Sequence, residues 1–425
     1  MNKITLGIGL AVMTIAVLTA CSNNEEKNDG KGEQSPEPYV INMLPETRSV
    51  KLTKEQKAFI QQNNDFSFKL YRAFCEAAPS QNDLLSPISI TYILGMLNDG
   101  AQGVTAREIS DALGFGDNAA VVINEYCRAL IEQAPAADPS VTLQLANIVA
   151  ADNGIRMEDS FVQDMHDYYD AEVVSLCFSD SSASDYLNEW CKKNSGGMIP
   201  KIADEIDPTT VMALLNAVYF KATWTEKFDV VNTHNDTFYK ENDETVSLPM
   251  MWRKAQALYG SNDVYSQLCL PFGSGSAWEM YILLPNKDKT VNDVIKSISN
   301  NTWWCSTDSY LVDIMIPRFS TVSDLELNEA ISKIGVPSIF DPKKADLSGI
   351  SKNGHLFVNK IKQKATIEVD EQGTKTTAVS VADLALTSTG KSTREIEFHC
   401  NRPFVYLIRE SSSGAIFFIG TFRGE

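Results

Sequence analysis

Residues 368–380 read EVDEQGTKTTAVS, a stretch that begins like a strand and then runs into small residues with no aromatic side chain. From Gly373 the run continues to residue 395 as GTKTTAVSVADLALTSTGKSTRE, 23 residues lying between apolar runs at 365–369 and 404–408. A connection this long with no helical pattern of its own is uncommon in a compact domain and is usually functional or disordered. At period two, one face carries Thr374, Thr376, Ala378, Ser380, Ala382, Leu384 and Leu386, while the other keeps the charges of Lys375 and Asp383. A face that is small throughout and becomes apolar suits a strand pushed between two others. The same composition also suits a surface linker.

Outside this stretch, composition sets the broad class. The chain has 425 residues, 44% of them hydrophobic, which suffices for one large domain or two ordinary ones. No internal repeat and no linker-like break follows residue 50, and the periodicities mix α and β. The formal net charge of −18 opposes nucleic acid and anionic polysaccharide. The only histidines, His166, His234, His355 and His399, form no HExxH or paired-ligand spacing. With no nucleophile elbow and no phosphate-binding glycine loop either, the chain is expected to be no enzyme and to need no metal or cofactor. Besides Cys21 there are Cys75, Cys127, Cys177, Cys191, Cys269, Cys305 and Cys400, an odd set without paired spacing that reads as free buried thiols.

Residues 1–20 carry one lysine, an apolar core from Ile4 to Val17 and then Leu18-Thr19-Ala20-Cys21, the pattern of a secretory leader. An apolar run of about 17 residues is marginal for a membrane span. Leu-Thr-Ala-Cys resembles a bacterial lipobox, which implies acylation of Cys21 and a stable hold on a bilayer. Residues 21–50 open with SNNEEKNDGKGEQSPEP after the cysteine and read as a polar, flexible tether. The expectation is a cell-envelope lipoprotein, membrane-anchored and facing either the periplasm or the outside, with a folded body over 51–425.

Short strings in a fixed order then carry a family resemblance. Asn64, Phe66 and Leu70 precede Ser86-Pro87-x-Ser89 within LLSPISITYILGMLNDGAQGVTAREI. Next come Leu187, Asn188 and Trp190, then LLNAVYFKATWTEKF with Trp224, the Pro249-Met250-Met251 triplet, IPRF at Ile316, ADLSGIS at Ala345 and RPFVYLIRESSSGAIFFIG. In this order, and with Glu371, Gly373 and Thr374 opening the small-residue run, the chain resembles the serpins over almost all of residues 64–425. The resemblance implies an α+β fold in one domain, with three β-sheets, eight to nine helices and an exposed reactive-centre loop at about 373–396.

It further implies the family mechanism, in which a target protease attacks the loop, forms an acyl-enzyme and is trapped as the loop enters the main sheet. The hinge would be Glu371, Gly373, Thr374, Thr376, Ala378 and Ser380. Ser86, Pro87, Ser89, Asn188, Trp224, Arg318 and Gln363 would govern opening of the sheet. Glu371 and Arg318 match positions that form a salt bridge in relatives, expected here to be an exposed pair at the top of the sheet. Gln363 stands where many serpins have histidine and can reach Ser86 or Asn188. Lys375 departs from the glutamate often found there. The family's nearly fixed spacing of about seventeen residues from the hinge glutamate puts the cut between Thr387 and Ser388, suiting an elastase-like serine protease or a papain-like cysteine protease. Counting back from Pro403 gives Lys391-Ser392 instead, a trypsin-like site. A monomer is expected, and DNAAVVINEYCRALIEQA after Gly116 has one arginine, so no heparin site is expected. The competing reading is a non-inhibitory serpin acting as carrier, chaperone or surface binding lipoprotein.

Overall fold

The computed structural model describes residues 46–77, 82–117, 120–201, 206, 210–353, 356–373 and 395–424. Within them lie eight α-helices: α1 Lys54–Ala77, α2 Pro87–Gly100, α3 Gly103–Leu113, α4 Ala120–Gln133, α5 Asp159–Tyr169, α6 Ser181–Asn194, α7 Val291–Ser297 and α8 Asn328–Lys333. Fourteen strands accompany them. The first seven are β1 Asp83–Leu85, β2 Thr142–Asp152, β3 Ala171–Leu176, β4 Met212–Lys221, β5 His234–Tyr239, β6 Thr245–Ser261 and β7 Tyr265–Phe272. The rest are β8 Trp278–Pro285, β9 Asp308–Pro317, β10 Phe319–Glu326, β11 Lys362–Val369, β12 Ile396–His399, β13 Phe404–Glu410 and β14 Ile416–Phe422.

The strands form three sheets, as the resemblance implied. The largest has nine strands in the order β1-β14-β13-β8-β7-β6-β9-β12, with β5 also paired to β6. Its centre is apolar on both faces: β13 reads FVYLIRE and β14 IFFIGTF, almost wholly buried, as strands covered on two sides must be. Helix α2 is likewise buried nearly all round, which fits a helix apolar on every face. The two smaller sheets are β3-β2-β4 and β10-β11. In β10 the alternation is strict, with Phe319, Thr321, Ser323 and Leu325 inward and Ser320, Val322, Asp324 and Glu326 exposed. Strand β11 alternates in step, burying Gln363, Ala365, Ile367 and Val369.

All seven cysteines from Cys75 to Cys400 are free, in line with their spacing, and five are buried. Cys177 is exposed, contrary to the expectation of a buried thiol, because it lies just past the end of β3. No described helix is long and apolar enough to cross a membrane. Cys21 and the leader lie outside the described residues.

Candidate functional site

The two small sheets lie edge to edge. Strand β4 is the last in its sheet and β11 the last in the other, and the two run alongside each other, yet among the described residues no hydrogen-bonded ladder joins them. Burial raises the Tyr219 phenol on β4, and the Glu368 carboxylate on β11 raises it further, an interaction that reaches across the open seam. Two strand edges that share no ladder among the described residues lie beside each other, the arrangement that accepts a further strand.

Among the described residues, backbone bonds close the seam at the end where β4 and β11 both terminate. There Trp224 N donates to Gln372 O at 2.9 Å and Phe228 N to Glu371 O at 3.0 Å. The Trp224 indole Nε1 donates to Asp370 O at 2.9 Å. The ring itself is 1% exposed and stacked on Phe272, with centroids 4.2 Å apart and planes at 12°. Trp224 therefore pins the end of β11 through its backbone and its ring together.

At this pin the chain turns. Asp370 and Gly373 form an isolated antiparallel bridge, with Glu371 and Gln372 as the two turn residues, so the backbone has already reversed by Gly373. The turn needs that glycine: its φ is +101°, and a Cβ there would collide with the backbones of Thr223 and Trp224. A narrow, mostly apolar cavity at the turn is lined by Phe220, Ala222, Phe272, Ile367, Glu368, Val369, Gly373 and Ile408.

Glu371 meets Arg318 at 3.5 Å, as the resemblance implied, but the pair is not an exposed one. The Glu371 side chain is 6% exposed and Arg318 is 49% exposed, because the turn folds the carboxylate under the chain. Arg318 also lies between β9 and β10 rather than inside a strand. Beneath the seam, Gln363 Oε1 accepts from Ser86 N at 2.7 Å and its Nε2 donates to Ser86 O at 2.8 Å. Of the two partners open from sequence, these bonds go to the Ser86 backbone, tying β11 to the residue before α2. Ser89 Oγ donates to Ser86 Oγ at 2.9 Å, and Pro87 occupies the first turn of α2. Asn188 is half-buried on α6. Thr374, Thr376, Ala378, Ser380, Thr387, Ser388, Lys391 and Ser392 lie outside the described residues. The stack of Phe272 under Trp224 and the two-residue turn at Asp370 had no separate signal in the sequence, since a phenylalanine such as Phe272 in an apolar run is ordinary core.

A model of the serpin family, described as serine protease inhibitor, matches residues 61–424. The chain belongs to the serpin family. This serpin is 30% identical over 396 residues to a plasma serine protease inhibitor of Bos taurus, covering 89% of this chain and 97% of that protein. It is 28% identical over 375 residues to the corticosteroid-binding globulin of Homo sapiens, covering 86% and 90%. Among solved structures it superposes on the thermophilic serpin tengpin in its native state, with a TM-score of 0.79, 28% identity and coverage of 88% and 95%. One relative is thus named for inhibition and another for binding a corticosteroid.

Proposed function

We propose that this serpin inhibits an endopeptidase, elastase-like and of the serine class, with a papain-like cysteine protease as a further target. The protease nucleophile attacks the Thr387 carbonyl, the amine of Ser388 leaves, and the protease is held as an ester (a thioester for cysteine) on Thr387. The freed loop then enters between β4 and β11. What supports the reading is the seam: two neighbouring edges that share no ladder among the described residues, with the chain already doubled back at Gly373 beside them. Insertion orders residues at about 1–2 kcal/mol each against about 1 kcal/mol per new hydrogen bond plus side-chain burial. The terms are similar in size, so the inward side chains decide. Thr374, Thr376, Ala378 and Ser380 place neither charge nor bulk on that face, where an unpaired charge would cost several kcal/mol. Acylated Cys21 and the tether after it would hold the body at the cell envelope, the tether stopping short of the expected residue 50, because Arg48 N donates to Ala137 O at 2.8 Å and Val50 is 5% exposed in the core.

The test mixes the full chain with elastase, trypsin and papain and looks for a covalent complex that survives denaturing electrophoresis. The reading expects a complex with elastase and a released peptide that begins at Ser388. Cleavage by every enzyme with no complex would instead support a carrier or binding role.

A further inference from the structure

Ahead of α1, residues 47–51, Thr-Arg-Ser-Val-Lys, lie as a strap over the place where the β7–β8 and β13–β14 turns meet, joined there by Ser411 N donating to Ala277 O at 2.8 Å. In the strap, Arg48 N donates to Ala137 O at 2.8 Å, Val50 N to Ser412 Oγ at 2.8 Å and Lys51 N to Gln133 Oε1 at 2.7 Å. Val50 is buried in the core, while Thr47, Arg48, Ser49 and Lys51 are exposed. Thr47 packs on the β7–β8 turn so closely that a Cβ at Gly275 would come within 2.1 Å of its Cγ2. Asp138, next to Ala137, is fully buried and accepts from Ser274 Oγ at 3.1 Å and from Gly275 N at 3.2 Å. The strap and Asp138 thus hold one side of that turn. The other side holds the pin of the seam: Gly273 N donates to Thr223 O at 2.7 Å, Thr225 N to Pro271 O at 2.9 Å and Thr225 Oγ1 to Gly273 O at 2.8 Å. Trp224, between those two threonines, stacks on Phe272 and carries the bonds to Gln372 and Asp370.

We propose that this strap is a latch on the closed end of the seam. Seated, it keeps the β7–β8 turn, and through the turn Trp224, against the end of β11; a pull on the chain ahead of α1, or a cut within the strap, unseats it and loosens the pin. The strap can leave while the body stays folded, because Val50 is its one buried residue and its bonds go to scattered acceptors instead of a ladder. Segments with so few buried contacts are those that open locally, below the cost of global unfolding. The strap is thus the two-position element, and the turn it holds is bonded on both sides, so the contact passes through packed groups with no slack chain between. The consequence for inhibition rests on the seam reading above: a loosened pin opens the seam before a protease has cut the loop. The coupling itself does not depend on that reading.

Amide hydrogen exchange read by mass spectrometry on the full chain, comparing the native sequence with Val50→Asp, tests this. A carboxylate at that core position unseats the strap, so the amides of Arg48 and Lys51 should lose their protection. Trp224 and Phe228, whose amides donate to Gln372 O and Glu371 O, should then exchange faster by roughly tenfold or more. Tyr406 and Leu407 in β13 should keep their native rates. If Val50→Asp fails to fold, Gln133→Ala combined with Ser412→Ala removes the side-chain acceptors of Lys51 N and Val50 N and leaves Val50 in place, and the same pattern is expected at smaller amplitude. The proposal falls if Trp224 and Phe228 exchange at the native rate once the strap is released, if β13 quickens as much as they do, or if the strap stays protected in every variant. The measurement uses no protease, so its failure is distinct from a failure of the inhibitory reading.

Discussion

The nine-stranded sheet and the seam between β4 and β11 are made from similar strands and differ in what lies on their edges. In the large sheet β13 pairs with β14 on one side and β8 on the other, and its residues are buried on both faces. Along the seam, among the described residues, β4 pairs only with β2 and β11 only with β10. The first region has spent its backbone hydrogen bonds and apolar surface. In the second, two neighbouring strands share no ladder among the described residues and are joined by a few bonds at Trp224, Glu371 and Gln372. Rigidity and the capacity to accept a strand are thus separated in space.

The comparison can be broken at its stable end first. Trp278 on β8 is fully buried against Phe220 and Phe417, so Trp278→Ala should cost about 3–5 kcal/mol in urea unfolding. A loss under 1 kcal/mol would mean that the large sheet is not the reservoir of stability.

The junction between the regions offers the next effect. Strand β1 pairs with β14 and sits beside β10, with Leu84 N donating to Ser323 Oγ at 2.8 Å. On it Asp83 is 4% exposed and hydrogen-bonded by Tyr71. Burial pushes this carboxyl up to about 7 from its ordinary 3.8, with the Tyr71 bond and Arg423 opposing. The folded state therefore holds a proton that the unfolded chain releases between about pH 4 and 7. The stability from this group is full below that window and declines as pH rises through it, by roughly 4 kcal/mol in all. Asp83→Asn should remove that slope, seen as a difference in unfolding midpoint between pH 5 and 7.5 that shrinks in the variant. An unchanged slope would place the pH dependence elsewhere.

At the seam itself Glu371→Gln should be the mildest change. Losing the charge opposite half-exposed Arg318 should cost about 1–2 kcal/mol while making the seam open more readily, measured as faster heat-induced polymerisation. Unaltered stability and polymerisation together would remove the pair from the account.

Much of this was legible in the sequence for physical reasons. Buried strands such as FVYLIRE and the alternating FSTVSDLE show their environment in their pattern, and the ordered strings from Ser86 to Gly420 carried the family. Small inward residues from Thr374 onward pointed to a strand in waiting. The burial of Glu371 was not legible, because it depends on a two-residue turn that Gly373 permits against Thr223 and Trp224. Asp83 gave no signal either, since a carboxylate in a helix or strand pattern reads as a solvated face until tertiary packing closes over it.

The most direct test of the open seam is to cleave the loop with a protease and compare thermal unfolding of intact and cleaved protein. A loop that enters between β4 and β11 should raise the midpoint by roughly 10 °C or more through its new hydrogen bonds and burial. A midpoint that stays the same or falls after cleavage would contradict the account.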